Sequence, residues 1–294
     1  MFFNKTILIY GSKGWIGSLF MEHIQLNHRN LKTFEGTARI DNETEVKNEI
    51  KKYKPDCILS LTGRTYGTID NVLINTIDYL EYPGKLVENI RDNLVGPIVL
   101  ANLCKKYQIH YTYLGTGCIF NSLTETDSFD ENCKPNYFGS SYSIVKGFTD
   151  VLMHTFPDTL TLRIRMPISS VPNNRNFITK ITKYSKICSI PNSMTVLDDF
   201  FPIFMDLILK GKTGTYNCTN PGTISHDEIL TEYRDIIDSN FIWENMSLED
   251  QSKILKSDRS NNKLDTTKIK KEYPKLRNID ESVKIVLNKM KLKM

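Results

Sequence analysis

Residues Thr6–Tyr10 (TILIY) form a short β-branched, apolar run that ends at Gly11, and Gly14 and Gly17 follow at steps of three before a helical pattern from Trp15 to about Gln25. Few folds tolerate a strand that enters a glycine turn and leaves it as a helix. The glycines permit the tight turn, let backbone approach an anion, and allow the helix to pack against the strand, while the amino terminus of the helix faces that anion. A pyrophosphate is the ligand such a turn suits.

Apolar runs recur at Cys57–Leu61, Tyr111–Leu114, Thr161–Ile164 and Thr215–Cys218, separated mostly by helical patterns such as 42–53, 85–107 and 141–154. Strands alternating with helices predict an α/β, Rossmann-type doubly wound parallel sheet with helices on both faces. Past Arg165 the pattern loosens into a loop-rich stretch containing Pro167, Pro172 and Pro191, then closes on an amphipathic segment, 279–290. The expected organisation is a nucleotide-binding domain over 1–165, with a returning strand near 215–220, and a smaller carboxyl-terminal substrate domain over 166–294.

Lys and Arg number 38 against 34 Asp and Glu, a balance of +4 too small and too scattered for a nucleic-acid footprint. The cysteines, at 57, 104, 118, 133, 188 and 218, show no CxxC pairing, so neither a metal site nor a disulfide framework is indicated. No apolar run reaches the ~20 residues that span a bilayer, and the amino terminus passes directly into the first strand. A cytoplasmic protein that binds no nucleic acid and no membrane is expected.

The glycine loop Gly11, Ser12, Lys13, Gly14, Trp15, Ile16 and Gly17 is the candidate dinucleotide cradle. Near the end of the second strand Glu35 would hold a ribose diol, whereas Arg39 would hold a 2′-phosphate. With Lys13 as a second cation the reading favours NADPH over NADH. Leu61, Thr62 and Gly63 follow the third strand, Asn93 lies on the long helix, and Arg165 ends a later strand; all are candidate cofactor contacts at carboxyl-terminal strand ends.

Tyr142 and Lys146 stand one helical turn apart in SYSIVK and so share a helix face. An ammonium beside a phenol favours the phenolate, which lets Tyr142 pass a proton to a carbonyl oxygen as hydride reaches carbon. Thr116 in YLGTGCIF, at a strand end, would hydrogen-bond that oxygen. Cys118, two residues on, adds a thiol suited to removing a proton next to the carbonyl. One pocket holding all four would isomerise and reduce the same keto sugar.

These residues resemble the extended short-chain dehydrogenase/reductases. GSKGWIG, GTGCIF, SYSIVK, TLRIRMPISS, RNFITKI, IPNSMTVLD, YNCTNPGTISHDEIL and RSNNKLD together resemble the plant-type nucleotide-rhamnose synthase/epimerase-reductases, which are similar in fold to dTDP-4-dehydrorhamnose reductases. The resemblance implies conversion of UDP- or dTDP-4-keto-6-deoxyglucose to the L-rhamnose nucleotide with NADPH. It puts the reductase triad on Thr116, Tyr142 and Lys146, and the 3,5-epimerisation pair on Cys118 and Lys180. It implies that Arg259 pairs with the nucleotide diphosphate, with Asn176 and Asn262 as further substrate contacts beside Thr116, Cys118 and Lys180. A homodimer, and a separate 4,6-dehydratase supplying the keto sugar, are implied partners. Residues 65–86 and 121–127 depart from the family pattern. Two other readings stand: a reductase without epimerase activity, and a non-catalytic NADP-binding regulatory protein. His226 reads instead as a helix start, since Ser225 and Glu228 have capping-box spacing.

Overall fold

The computed structural model describes residues 5–293. Strands β1 (Thr6–Tyr10), β2 (Lys32–Gly36) and β3 (Cys57–Ser60) precede a hairpin of β4 (Gly67–Ile69) and β5 (Val72–Ile74); β6 (His110–Thr116), β7 (Thr159–Ile164), β8 (Lys186–Ile187), β9 (Gly214–Asn217) and β10 (Glu244–Asn245) follow. Six of these form one sheet in the order β2-β1-β3-β6-β7-β9. β1 pairs in parallel with β2 on one side and β3 on the other, and β3 pairs in parallel with β6. The direction of winding reverses between β1 and β3, and ligands of such sheets bind at the carboxyl ends of strands beside that switch.

The helices are α1 (Trp15–Asn27), α2 (Glu43–Tyr53), α3 (Lys85–Ile90), α4 (Gly96–Tyr107), α5 (Ser141–Met153), α6 (Phe177–Ile181), α7 (Leu197–Leu209), α8 (His226–Ile236), α9 (Leu248–Ile254), α10 (Thr267–Glu272) and α11 (Ile279–Lys291). Strands β1 and β3 are buried almost throughout, as expected of strands covered on both faces. None of the helices is long and apolar enough to cross a membrane among the described residues.

The single helix expected over 85–107 is instead α3 and α4 joined by a π-helical turn at Arg91–Val95. Pro97 accounts for this locally. It has no N–H to give the carbonyl of Asn93, and that carbonyl accepts the Thr149 hydroxyl of α5 at 2.7 Å instead. The divergent stretch 65–86 folds as the β4–β5 hairpin, with Asp70 and Asn71 both left-handed as a two-residue turn requires, followed by a 3₁₀ segment, Ile77–Glu81.

The chain forms two compact units. The first comprises residues 1–116, 141–162 and 204–216; the second comprises 117–140, 163–203 and 217–294. Apolar residues of β1, β3, β6 and α4, including Leu8, Ile58, Tyr111, Leu100 and Leu103, centre the core of the first. In the second, α11 presents Ile279, Val283, Val286, Leu287 and Met290 at helical spacing to Ile229 and Leu230 of α8, so the Lys-rich tail is a packed helix. Residues 117–140 join this unit because Ile119, Phe120 and Phe129 pack with Leu264. Backbone bonds from Ser122 to Asn261 and from Phe129 to Lys263 reinforce that packing.

Candidate active site

In the first unit the glycine loop carries the geometry of a cradle. Gly11 is left-handed at φ +84°, and a Cβ there would meet the Leu61 carbonyl carbon at 2.9 Å. A Cβ on Gly17 would fall 2.0 Å from the Gly11 oxygen, so helix and loop close together only because both are glycine. Gly14 caps α1 without a side-chain hydrogen bond, leaving the first-turn N–H groups to face an anion. These features fit a dinucleotide pyrophosphate. Ser12 is buried and donates to Glu35 at 2.8 Å, tying the loop to the end of β2, while Lys13 is exposed and Trp15 and Ile16 are half-buried.

Beyond β2 and β3 lies a cluster of arginines. Arg39 bonds Asp92 at 2.7 Å and Asp41 at 3.0 Å; Arg64 and Arg91 each bond Asp92 at 2.9 Å. Burial pushes the Asp92 carboxyl up, but hydrogen bonds from Arg91, Arg39 and Arg64 outweigh it and hold it below the usual range. Sequence reasoning found Arg39 and missed its two companions, although Arg64 directly follows Leu61, Thr62 and Gly63. Asn93 is fully buried, and its amide both accepts from the Arg64 N–H at 2.9 Å and donates to the Arg64 carbonyl at 2.8 Å. These two bonds brace the loop after β3.

Thr116 is the last residue of β6, and Tyr142 and Lys146 lie on the first turns of α5; all three are buried. The Lys146 ammonium donates to the Tyr113 hydroxyl and sits 4.5 Å from that ring's centroid. Strand β6 therefore fixes both ends of the trio. Burial holds the Tyr113 phenol well above its ordinary range, so it meets the ammonium as a neutral hydroxyl. The amino terminus of α5 is held by Glu81, whose carboxylate accepts from the Ser141 N–H at 2.8 Å and from the Ser141 hydroxyl at 2.9 Å. Ser141 directly precedes Tyr142, and Glu81, which holds it, lies within the stretch 65–86 that departs from the family pattern.

The second unit carries Cys118 and Lys180, both half-buried. Cys118 follows Gly117, whose N–H bonds the Ile164 carbonyl at 2.9 Å and whose missing Cβ makes room for Leu264. Asn262 clamps this turn, its amide donating to the carbonyls of Gly117 at 3.0 Å and Phe120 at 2.8 Å. These two bonds brace the Cys118 turn and leave the Asn262 amide oxygen without a hydrogen-bond partner among the described residues. Asn176 is fully buried and donates to the carbonyls of Ser169 at 2.7 Å and Val171 at 3.1 Å.

Arg165 is only 1% exposed, and its guanidinium donates to the carbonyls of Ser260 and Ser193 and to the Ser260 hydroxyl. Burial lowers its hold on the proton, and Cys118 pulls the other way. It stabilises the segment in which Met166, before Pro167, adopts a left-handed φ of +41°.

Lys180 lies on α6, and burial, then the charges of Arg175 and Arg259, pull its ammonium down to about 8. Arg259 donates to the Ser257 carbonyl at 2.8 Å and hydroxyl at 2.7 Å and lines a cavity of about 380 Å³ with Asn121, Tyr137, Gln251 and Asn261. His226 opens α8 within a complete capping box formed by Ser225 and Glu228, and burial drives its imidazole down to about 4. Among the described residues no group of three or more His, Cys, Asp or Glu side chains could hold a metal ion.

Residues 7–166 match the model of the NAD dependent epimerase/dehydratase family. The chain belongs to that family. Among its members a solved UDP-rhamnose synthase from Acanthamoeba polyphaga mimivirus is 51% identical, with a TM-score of 0.93 over 98% of this chain and 100% of that one. A bifunctional dTDP-4-dehydrorhamnose 3,5-epimerase/dTDP-4-dehydrorhamnose reductase of Arabidopsis thaliana is 40% identical over 95% of this chain and 91% of its own length. A dTDP-4-dehydrorhamnose reductase from Bacillus anthracis, solved in complex with NADP, shares the fold at 16% identity and a TM-score of 0.76 over 96% of this chain and 98% of that one.

Proposed function

We propose that this chain is a bifunctional 3,5-epimerase/4-reductase that converts UDP-4-keto-6-deoxy-D-glucose to UDP-L-rhamnose with NADPH. The observation that carries this reading is the near full-length likeness to a UDP-rhamnose synthase in a chain that keeps Thr116, Tyr142 and Lys146 together with Cys118 and Lys180.

The C4 ketone acidifies the hydrogens on C3 and C5. Cys118, as thiolate, takes one: the C–H bond breaks, its electron pair moves into the ketone as an enolate, and an S–H bond forms. The Lys180 ammonium then returns a proton to the opposite face of that carbon and inverts it. With an ammonium that titrates near 8, Lys180 is mostly protonated at neutral pH yet gives its proton up readily, as general-acid work requires. Once Cys118 has released its proton to solvent and Lys180 has taken one up, the same exchange at the second carbon completes the epimerisation.

NADPH, when bound, supplies hydride to C4. As the C4 oxygen gains charge, Tyr142 donates its phenolic proton to it, Thr116 holds that oxygen by a hydrogen bond, and the Lys146 ammonium favours the phenolate that Tyr142 becomes. Gly11 through Gly17 would hold the pyrophosphate, with Leu61, Thr62 and Gly63 beside it. The surplus of positive charge where Arg39, Arg64 and Arg91 meet Asp92 supports a 2′-phosphate, and hence NADPH over NADH. Arg39→Ala should therefore raise KM for NADPH about tenfold and leave NADH unaffected; equal use of both cofactors, unchanged by the substitution, would overturn the assignment.

A separate 4,6-dehydratase supplies the keto sugar. Leu86 and Val87 on α3 and Phe148, Val151 and Leu152 on α5 are exposed apolar side chains that support a homodimer through these helices. The test of the bifunctional reading is deuterium incorporation at C3 and C5 of UDP-4-keto-6-deoxyglucose in D₂O without NADPH. Reduction of pre-epimerised substrate with no such incorporation would leave a reductase alone.

A further inference from the structure

Arg165 carries a charge that the fold buries without a carboxylate. Its guanidinium meets only neutral acceptors: the Ser193 carbonyl at 3.3 Å, the Ser260 carbonyl and hydroxyl, and the Met166 sulfur at 3.6 Å. Its Nε–H has no hydrogen-bond partner, and among the described residues Arg165 forms no ion pair. A guanidinium keeps its proton at any working pH, and an unpaired buried charge is costly, so an anion beside it is favoured. The Cys118 turn closes on the same place. Gly117 bonds the carbonyl of Ile164, the residue before Arg165, at 2.9 Å. Asn262 donates to the Gly117 carbonyl at 3.0 Å and to the Ser260 hydroxyl at 3.2 Å, and that hydroxyl also accepts from Arg165 at 3.1 Å. A closed circuit of short bonds within the second unit thus joins Arg165 to the turn that presents the thiol. Cys118 is the acid whose charge supports that of Arg165. Around the pair, Arg163 stacks on Phe120, Arg259 bonds Ser257, and His226 on α8 is brought down by burial to about 4, so none of the three brings negative charge. Asp258, two residues before Ser260, is exposed to solvent.

We propose that Arg165 is the counter-charge of the Cys118 thiolate: the fold buries a guanidinium beside the thiol, and ionising that thiol completes the ion pair. Arg165 is thereby a positioning residue that acts through Cys118 and not on the sugar. The inference rests on the reading of Cys118 as the epimerisation base. When the pair forms, the thiol proton leaves to solvent and the thiolate stays where Asn262 holds its turn. Paired in this way it is a weaker base than a free thiolate, but more of it is present, which suits a C–H bond that the neighbouring ketone has already acidified.

The experiment alkylates NADP-loaded protein with iodoacetamide over a range of pH and follows the Cys118 peptide by mass spectrometry. Arg165→Gln, which keeps a donor for Ser260 but no charge, should raise the midpoint of Cys118 alkylation by about one pH unit. Lys180→Met, which removes a different cation, should raise it by less than half as much. A midpoint that Arg165→Gln leaves in place, or that Lys180→Met raises further than Arg165→Gln does, overturns the proposal. A second measurement needs no Arg165 variant. In protein labelled with ¹⁵N-arginine, the Arg165 Nε–H resonance, assigned by its contacts to Ser260 and Met166, should shift through the same midpoint as alkylation and stay still in Cys118→Ser. A resonance that does not titrate in the wild type, or titrates equally in Cys118→Ser, overturns the proposal. If the pair behaves as expected but no deuterium enters C3 or C5, the epimerase reading fails and the ion pair stands.

Discussion

Thr116, Tyr142 and Lys146 stand on the end of a seven-residue strand and the first turns of a 13-residue helix, whereas Cys118 and Lys180 stand on a glycine turn and a five-residue helix. The first set is fixed by regular backbone hydrogen bonding, with Tyr113 meeting Lys146 and Glu81 anchoring α5. The second set is fixed by side chains reaching back to backbone: Asn262 on Gly117 and Phe120, Asn176 on Ser169 and Val171, Arg165 on Ser193 and Ser260. Reduction needs one proton donor aimed at one oxygen, and a rigid scaffold serves that. Epimerisation at two carbons needs an acid and a base on opposite ring faces, and loops braced at a few points can supply them from separate places in the chain.

If the two sets divide the work this way, their substitutions separate the two activities. The largest effects should come from the reacting groups: Tyr142→Phe lowers NADPH oxidation by about 10²–10⁴-fold while deuterium exchange persists. Cys118→Ser does the converse, abolishing exchange yet still reducing substrate that is already epimerised, as product analysis would show. A single substitution that removed both activities from folded protein would break the comparison.

Next comes pH. Lys180 acts in its protonated form, so kcat/KM for exchange should fall as pH rises through about 8. Asn262→Ala strips donors from two carbonyls at the Cys118 turn and should cost about 1–3 kcal/mol in denaturant melts, with exchange falling more than reduction. Glu81→Ala removes the anchor of α5 and should cost about 0.5–2 kcal/mol, here with reduction falling more than exchange. Lys180→Met should stabilise the protein by about 1–3 kcal/mol at pH 7. The folded ammonium titrates below its ordinary 10.5, so its charge opposes folding at neutral pH, and that cost fades as pH rises from about 8 toward 10.5.

The contrast also explains which parts were legible in the sequence. The glycine loop, the strand end at Thr116 and the Tyr142–Lys146 helix follow from local periodicity, because each depends on residues within one or two turns of chain. The capping box at Ser225 and the apolar stripe of α11 were readable for the same reason. What escaped depends on distant partners. Glu81 reaches Ser141 across 60 positions, Asn262 reaches Gly117 across 145, and Arg165 reaches Ser260 across 95. No spacing announces such contacts. Arg64 was hidden because only the fold brings it to Asp92, 28 positions away, beside the adjacent Arg91.

The most direct test of the account is to incubate UDP-4-keto-6-deoxyglucose with the enzyme in D₂O, without NADPH, and to read C3 and C5 by NMR. Deuterium at both carbons in the wild type, and at neither in Cys118→Ser, is the predicted result. Wild-type protein that reduces pre-epimerised substrate with NADPH but leaves both carbons undeuterated would contradict it.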